Sequence, residues 1–146
     1  MSTLPEILTS DTRKAAVVED CLSIIDSEVA DKSGLSGLAI KAGYGVIKGI
    51  NPTFVKQVVV DLLPEFATAL GPIFEEARTT NKPIAAHFST NSGRVADALL
   101  AITDAKAARS KSGAVKGTYD KLRSSAKKNV ESAVPRLGKM VEKHAS

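Results

Sequence analysis

Hydrophobic residues recur along most of this chain at helical rather than alternating spacing. Val17, Cys21, Ile25 and Val29 stand four apart, with Val18 and Leu22 beside them. This is the stripe of an amphipathic helix. Asp11 is its expected cap, and Asp31-Lys32-Ser33-Gly34 carries its stop signals. Phe54, Val58, Leu62 and Phe66 form a second stripe, flanked by Val55, Val59 and Leu63. The run Val58-Val59-Val60 has high strand propensity, but the four-residue register persists past it and predicts a helix. Leu70, Ile73 and Phe74 carry the same face to about Thr79, with Pro64 and Pro72 expected to divide or bend it.

The remaining segments follow the same logic. Leu4 to Leu8 reads as a short helical turn, with Thr3 as cap and Pro5 near its start. Asn51-Pro52 breaks the chain, and Asn81-Lys82-Pro83 is a loop. Pro83 to Phe88 suggests a short helix, and Ser89-Thr90-Asn91-Ser92 the next start signal. Val95, Leu99 and Ile102 mark another helix, and Arg109 to Gly113 a break. A last helix begins near Ser112, lined by Val115, Tyr119, Leu122, Ala126, Val130, Ala133 and Leu137. Pro135 is expected to kink it or to separate a terminal helix. No strand alternation and no hairpin dipeptide appears. The expected fold is all-α, a single domain over residues 1–146, with about five to seven helices and Pro-bent joints.

One segment departs from ordinary helix composition. Between Ser33 and Ile50 lie Gly34, Gly37, Gly43, Gly45 and Gly49. Each glycine in a helix interior costs about 1 kcal/mol relative to alanine. Retaining several points to close approach of another backbone or a ligand. Leu35, Leu38, Ala39, Ala42, Val46 and Ile50 form the apolar side of this helix. Gly37, Gly45 and Gly49 share one row with Lys41, and Ala39 and Gly43 another. The spacing favours close helix packing, as in small-residue motifs of membrane helices. Lys41 and Lys48 argue against insertion into a bilayer.

Composition narrows the chemistry. Hydrophobic residues make up 43% and aromatics 4%, with no tryptophan, so the core is built from Leu, Ile, Val and Ala. Cys21 is the sole cysteine, which excludes an intrachain disulfide and a thiolate metal cluster. The start of the chain lacks a signal-peptide pattern, and no stretch approaches 18 uncharged apolar residues. A cytoplasmic setting is the expectation. The net charge of +4 is asymmetric: residues 1–100 carry 9 Lys/Arg against 12 Asp/Glu, and residues 101–146 carry 11 against 4.

Three constellations are candidates for function. The loop Lys32-Ser33-Gly34 with Ser36 could hold an anion at a helix N-terminus, although a helix stop followed by a serine cap is the commoner use of this composition. It is not a P-loop, and Gly34-Leu35-Ser36-Gly37 matches the KH-domain loop in letters only. Gly37, Gly43, Gly45 and Gly49 are candidates for close packing or an interface. The basic C-terminal helix offers Lys116, Arg123, Lys127 and Lys128, a face able to contact phosphates or acidic headgroups but without interleaved aromatics. Catalysis has little support. His87 is expected to be packed or partly exposed, His144 lies in an expected frayed terminus, and Glu75-Glu76 diverge on a helix. No metal, cofactor or catalytic set is expected.

The segments Asp31-Lys32-Ser33-Gly34-Leu35-Ser36-Gly37 through Lys41-Ala42-Gly43-Tyr44, and Val134-Pro135-Arg136-Leu137-Gly138, resemble parts of a family of small, uncharacterised bacterial helical proteins. The likeness covers most of the chain. It implies a bacterial, cytoplasmic setting and brings no activity, ligand or catalytic residue. The leading expectation is a non-enzymatic interaction module that self-associates or docks a protein partner through helix 34–50. The alternatives are binding of nucleic acid or an acidic membrane surface by the C-terminal helix, and carriage of an apolar ligand in a pocket beside Gly43 and Gly45.

Overall fold

A computed structural model describes residues 3–31, 34–50 and 53–145; side chains at positions 34–36, 39, 47, 48 and 50 lie outside the description. The described residues form seven helices and no strand: α1 (Leu4–Leu8), α2 (Lys14–Asp31), α3 (Gly34–Ile50), α4 (Phe54–Thr79), α5 (Ile84–Thr90), α6 (Ser92–Ala108) and α7 (Gly113–Ala145). The fold is all-α, as the periodicity predicts.

Local chemistry explains most boundaries. Thr3 Oγ1 accepts from Glu6 N at 3.4 Å at the start of α1, with Pro5 in its first turn. Asp11 does not cap α2. The Ser10 carbonyl accepts from Arg13 N and Lys14 N, so the chain makes a turn through 11–13 before the helix begins. At the end of α4, Asn81 adopts φ 56° and Lys82 N returns to the Ala77 carbonyl at 2.9 Å. This is a left-handed helix stop, which asparagine tolerates better than most side chains. The break expected at Asn51-Pro52 lies outside the described residues.

The prolines do not divide their helices. Pro64 and Pro72 lie inside α4 and Pro135 inside α7, and each helix continues through them. All three are exposed. The helical hydrogen bond that each proline deletes therefore falls on the water side of its helix, where the loss is least costly.

Two long helices, α4 and α7, organise the rest: each packs against α1, α2, α3, α5 and α6. The inward face of α4 buries Val59, Leu62, Leu63, Ala67, Leu70, Ile73, Phe74 and Ala77. It is the one described helix long and apolar enough to cross a membrane, by length and composition alone. Here that apolarity forms the centre of a cluster that runs from Leu4 and Leu8 through Val17, Phe88 and Val95 to Val134 and Val141.

The C-terminus is the main departure from expectation. His144 is not frayed but 6% exposed, its Nε2 lying 2.6 Å from Asp20 Oδ2 on α2. Lys143 Nζ donates to the same oxygen at 3.1 Å. Burial raises the Asp20 pKa, but the hydrogen bonds from His144 and Lys143 prevail and hold it below the ordinary aspartate value. The end of α7 is thus tied to the start of α2.

Candidate functional site

The glycine-dense helix α3 is oriented by two contacts. Tyr44 Oη donates to Asp26 of α2 at 2.5 Å. A Cβ placed on Gly43 would sit 2.9 Å from Thr118 Cγ2 and 3.4 Å from Leu122 Cδ1 of α7. Gly43 therefore marks the close approach to α7 that the sequence anticipates. Together these contacts turn the side carrying Tyr44 and Gly43 inward.

The opposite side faces water, and it is apolar. Leu38 is 65% exposed and Val46 50% exposed, the two large hydrophobics most open to solvent among the described residues. Ala42, Gly45 and Gly49 are exposed with them. At about 100° per residue, these five positions fall within an arc of about 100° on α3. A Cβ on Gly45 or Gly49 would meet nothing within 4 Å. Leu38, Ala42 and Val46, which belong to the apolar side read from the sequence, therefore face water. Apart from Lys41, Tyr44 and Lys48, residues 37–50 of α3 are apolar or glycine, so hydrophobicity cannot choose its inner side; the tyrosine and the Gly43 crossing do.

The expected single row of Gly37, Gly45 and Gly49 also divides. Gly37 is buried, whereas Gly45 and Gly49 are exposed. Residues four apart drift by about 40° per step, so a row begun on the inner side winds outward within three steps. Of the anion-loop residues, Lys32 and Ser33 lie outside the described residues, and Gly34 and Ser36 fall within α3 with side chains outside the description. A Cβ at Gly43 would meet Thr118 and Leu122 of α7, whereas one at Gly45 would meet nothing within 4 Å and Gly45 opens onto the surface.

The basic face of α7 is partly neutralised from within. Arg123 pairs with Asp104 at 2.7 Å and Lys127 with Asp97 at 3.1 Å, both carboxylates on α6. Arg136 pairs with Glu28 and Asp31 of α2, and Lys143 with Asp20. Lys116, Lys121, Lys128 and Lys139 remain as exposed cations. Tyr119 turns towards α6 and donates to Asp104. The hydrogen bonds from Arg123 and then Tyr119 hold the Asp104 pKa low, while burial and the Asp104 contact raise that of Tyr119.

A second set of titratable groups joins α4 to α5 and α6. Glu76 of α4 receives Arg94 Nη2 of α6 at 2.7 Å and lies 3.2 Å from Nε2 of the buried His87 on α5. The Arg94 and His87 contacts bring the Glu76 pKa down to about 2. Glu75 turns instead to Arg78, so the adjacent glutamates diverge as expected. Cys21 packs against the core, and burial pushes its thiol up to about 11. Among the described residues, no group of three or more His, Cys, Asp or Glu is placed to hold a metal ion.

One junction was invisible in the sequence. Gly138 of α7 is buried, and a Cβ there would lie 3.1 Å from the Ala85 Cα of α5. Glu142, one turn on, accepts from Ala85 N at 2.8 Å and so caps α5 from a neighbouring helix. The two segments on which the family resemblance rests also meet, through Arg136 and Asp31 at 2.5 Å. Neither a curated protein nor a solved structure matches this chain. A family model does match, over residues 4–145, and the chain belongs to that family, DUF6918, a family of unknown function.

Proposed function

We propose that this protein is a non-enzymatic helical interaction module in which the outward face of α3 packs against α3 of a second copy. The observation that supports this reading is the exposure of Leu38 and Val46 on one side of a helix whose neighbouring outward positions are Ala42, Gly45 and Gly49. Single exposed hydrophobics are ordinary, but a contiguous apolar stripe is a recognised mark of interaction surfaces.

The stripe is complementary to itself when reversed. In an antiparallel pair centred between residues 43 and 44, Leu38 falls opposite Gly49, and Ala42 opposite Gly45. The bulky end of one copy meets the open end of the other, as a two-fold interface requires. Lys41 falls opposite Val46, and its aliphatic stem can cover the valine while the ammonium stays in water.

The test is a mass measurement in solution, by light scattering or sedimentation, on the wild type and Gly45→Leu. Nothing in the monomer lies within 4 Å of the added side chain, so folding stability is expected to persist. A wild-type dimer that Gly45→Leu converts to monomer supports the reading. A wild-type monomer at high concentration, or a dimer indifferent to both Gly45→Leu and Leu38→Asp, overturns it. The alternative of polyanion binding by α7 has less geometric support, because Arg123 and Lys127 already face carboxylates of α6.

A further inference from the structure

A cavity of about 390 Å³ opens where the beginnings of α4 and α7 meet the end of α6. None of its described lining residues belongs to α3, so binding here and a dimer there are tested separately. Each wall is one helical face. Phe54, Val58 and Leu62 of α4 stand at i, i+4 and i+8; Val115 and Tyr119 of α7 at i and i+4; Thr103, Lys106, Ala107 and Ser110 at i, i+3, i+4 and i+7 from α6 into the following break. Arg109 completes the lining. The volume lies in the range of small-molecule sites, and so does the character: a mainly apolar wall with a few polar groups.

The polar groups are not equivalent. Tyr119 Oη is engaged by Asp104 and lies 2.9 Å from Thr103 Oγ1, so this end is internally satisfied. Asp104, the nearest carboxylate in the α6 sequence, is held by Arg123 and Tyr119. Lys106 and Arg109 differ: among the described residues, neither has a carboxylate at ion-pair distance. Lys111 and Lys116 add two further cations at the same α6–α7 corner, and Asp120 is the next carboxylate along α7. Lys106 is half-buried and lines the cavity, and a lysine so placed can give its stem to an apolar wall while its ammonium stays hydrated. An apolar cavity with unneutralised cations at its edge matches a ligand with an apolar body and one negative head.

We propose that the cavity between α4, α6 and α7 binds a small amphipathic monocarboxylate, with its tail against Phe54, Val58 and Leu62 and its carboxylate between Lys106 and Arg109. The α4 stripe spans about 12 Å along the helix axis, at about 1.5 Å per residue, which sets a medium-length tail or a single ring system as the fit. Water is displaced from apolar walls by the tail, and the head gains two charge-assisted contacts at the rim.

The experiment is calorimetric titration of the full chain with three ten-carbon-chain probes, each below its micelle concentration or solubility limit: decanoate, decanol and decyltrimethylammonium. Decanoate is expected to bind one per chain, decanol more weakly and the cation least. Lys106→Glu combined with Arg109→Glu alters two side chains at the cavity mouth, and far-UV circular dichroism checks that the fold is kept. It is expected to lower decanoate affinity by about tenfold or more while leaving decanol binding unchanged. Val58→Trp, which fills the cavity, is expected to abolish binding of all three. No decanoate binding overturns the proposal. So does equal binding of the three probes, which would make Lys106 and Arg109 simple complements to the α6 C-terminus. Decanoate binding that survives the double charge reversal overturns it as well.

Discussion

Gly138 and Gly45 both sit inside helices, and their surroundings are opposite. A methyl group on Gly138 would lie 3.1 Å from the backbone of Ala85 and 3.2 Å from Phe88 Cβ, whereas one on Gly45 would meet nothing within 4 Å. Around Gly138 the chain is closed: Glu142 caps α5, Glu76 reaches α5 and α6, and His144 and Arg136 tie α7 to α2. Around Gly45 the chain is open, and the outer side of α3 is a hydrophobic stripe in water. A glycine that admits a backbone is part of how the monomer folds. A glycine that admits nothing within the monomer leaves room for something outside it.

The largest expected effect is at the closed junction. Gly138→Leu drives a branched side chain against the Ala85 backbone, which cannot yield as a side-chain end can. Overpacking of this kind costs about 3 kcal/mol at its upper end. For a chain of this length the melting temperature is expected to fall by about 10 °C, read by thermal unfolding followed by circular dichroism. An unchanged melting temperature would mean that α5 and α7 are not pressed together at this point.

Removing the remote cap should cost less. Glu142→Ala leaves Ala85 N at the start of α5 without its acceptor. Helix caps are worth about 1 kcal/mol, and chemical denaturation is the measurement. Hydrogen exchange is expected to rise in α5 before it rises in α4, because the amide that Glu142 caps belongs to α5.

On the open side the sign reverses. Gly45→Leu removes a glycine from a helix interior with no steric conflict, so monomer stability is expected to rise by about 0.5–1 kcal/mol, even as the dimer proposed for α3 is lost. A fall in stability at a concentration where the wild type is monomeric would erase the distinction between the two glycines.

The contrast also shows where sequence reading succeeds and where it stops. Stripes such as Phe54, Val58, Leu62 and Phe66 were legible as helix because periodicity is local, and the all-α fold followed from them. The closed junction was not legible. Gly138 stands apart from Gly113 and Gly117, the other glycines of α7, in a stretch that otherwise reads normally, and its purpose depends on Ala85, 53 positions earlier in the sequence. The same holds for His144, which looked like a chain end until Asp20 was placed beside it. On α3 the glycine density singled out the helix but not which of its sides faces water, since a helix apolar nearly all round carries no orientation signal. The cavity was missed for a related reason: Val58 and Leu62 look the same in a sequence whether they face a neighbour or a void.

The smallest effect sharpens the closed side, where Glu76 joins α4 to α5 and α6 through His87 and Arg94. Its pKa is brought to about 2, from an ordinary value of 4.5, by hydrogen bonds first from Arg94 and then from His87. A carboxylate depressed on folding stabilises the native state in its charged form. Its contribution is therefore fully present above about pH 4.5 and is lost as the pH falls towards about 2. Asp20 and Asp104 are also held low and act in the same acidic direction, so the wild type alone does not isolate Glu76. The difference between the wild type and Glu76→Gln does. Urea unfolding at pH 6 and at pH 3 is expected to show the variant less stable at pH 6, with the gap narrowing at pH 3. A gap of constant size would mean that the glutamate holds the α4–α5–α6 corner by packing and neutral hydrogen bonds rather than by charge. The closed side would then differ from α3 in shape alone.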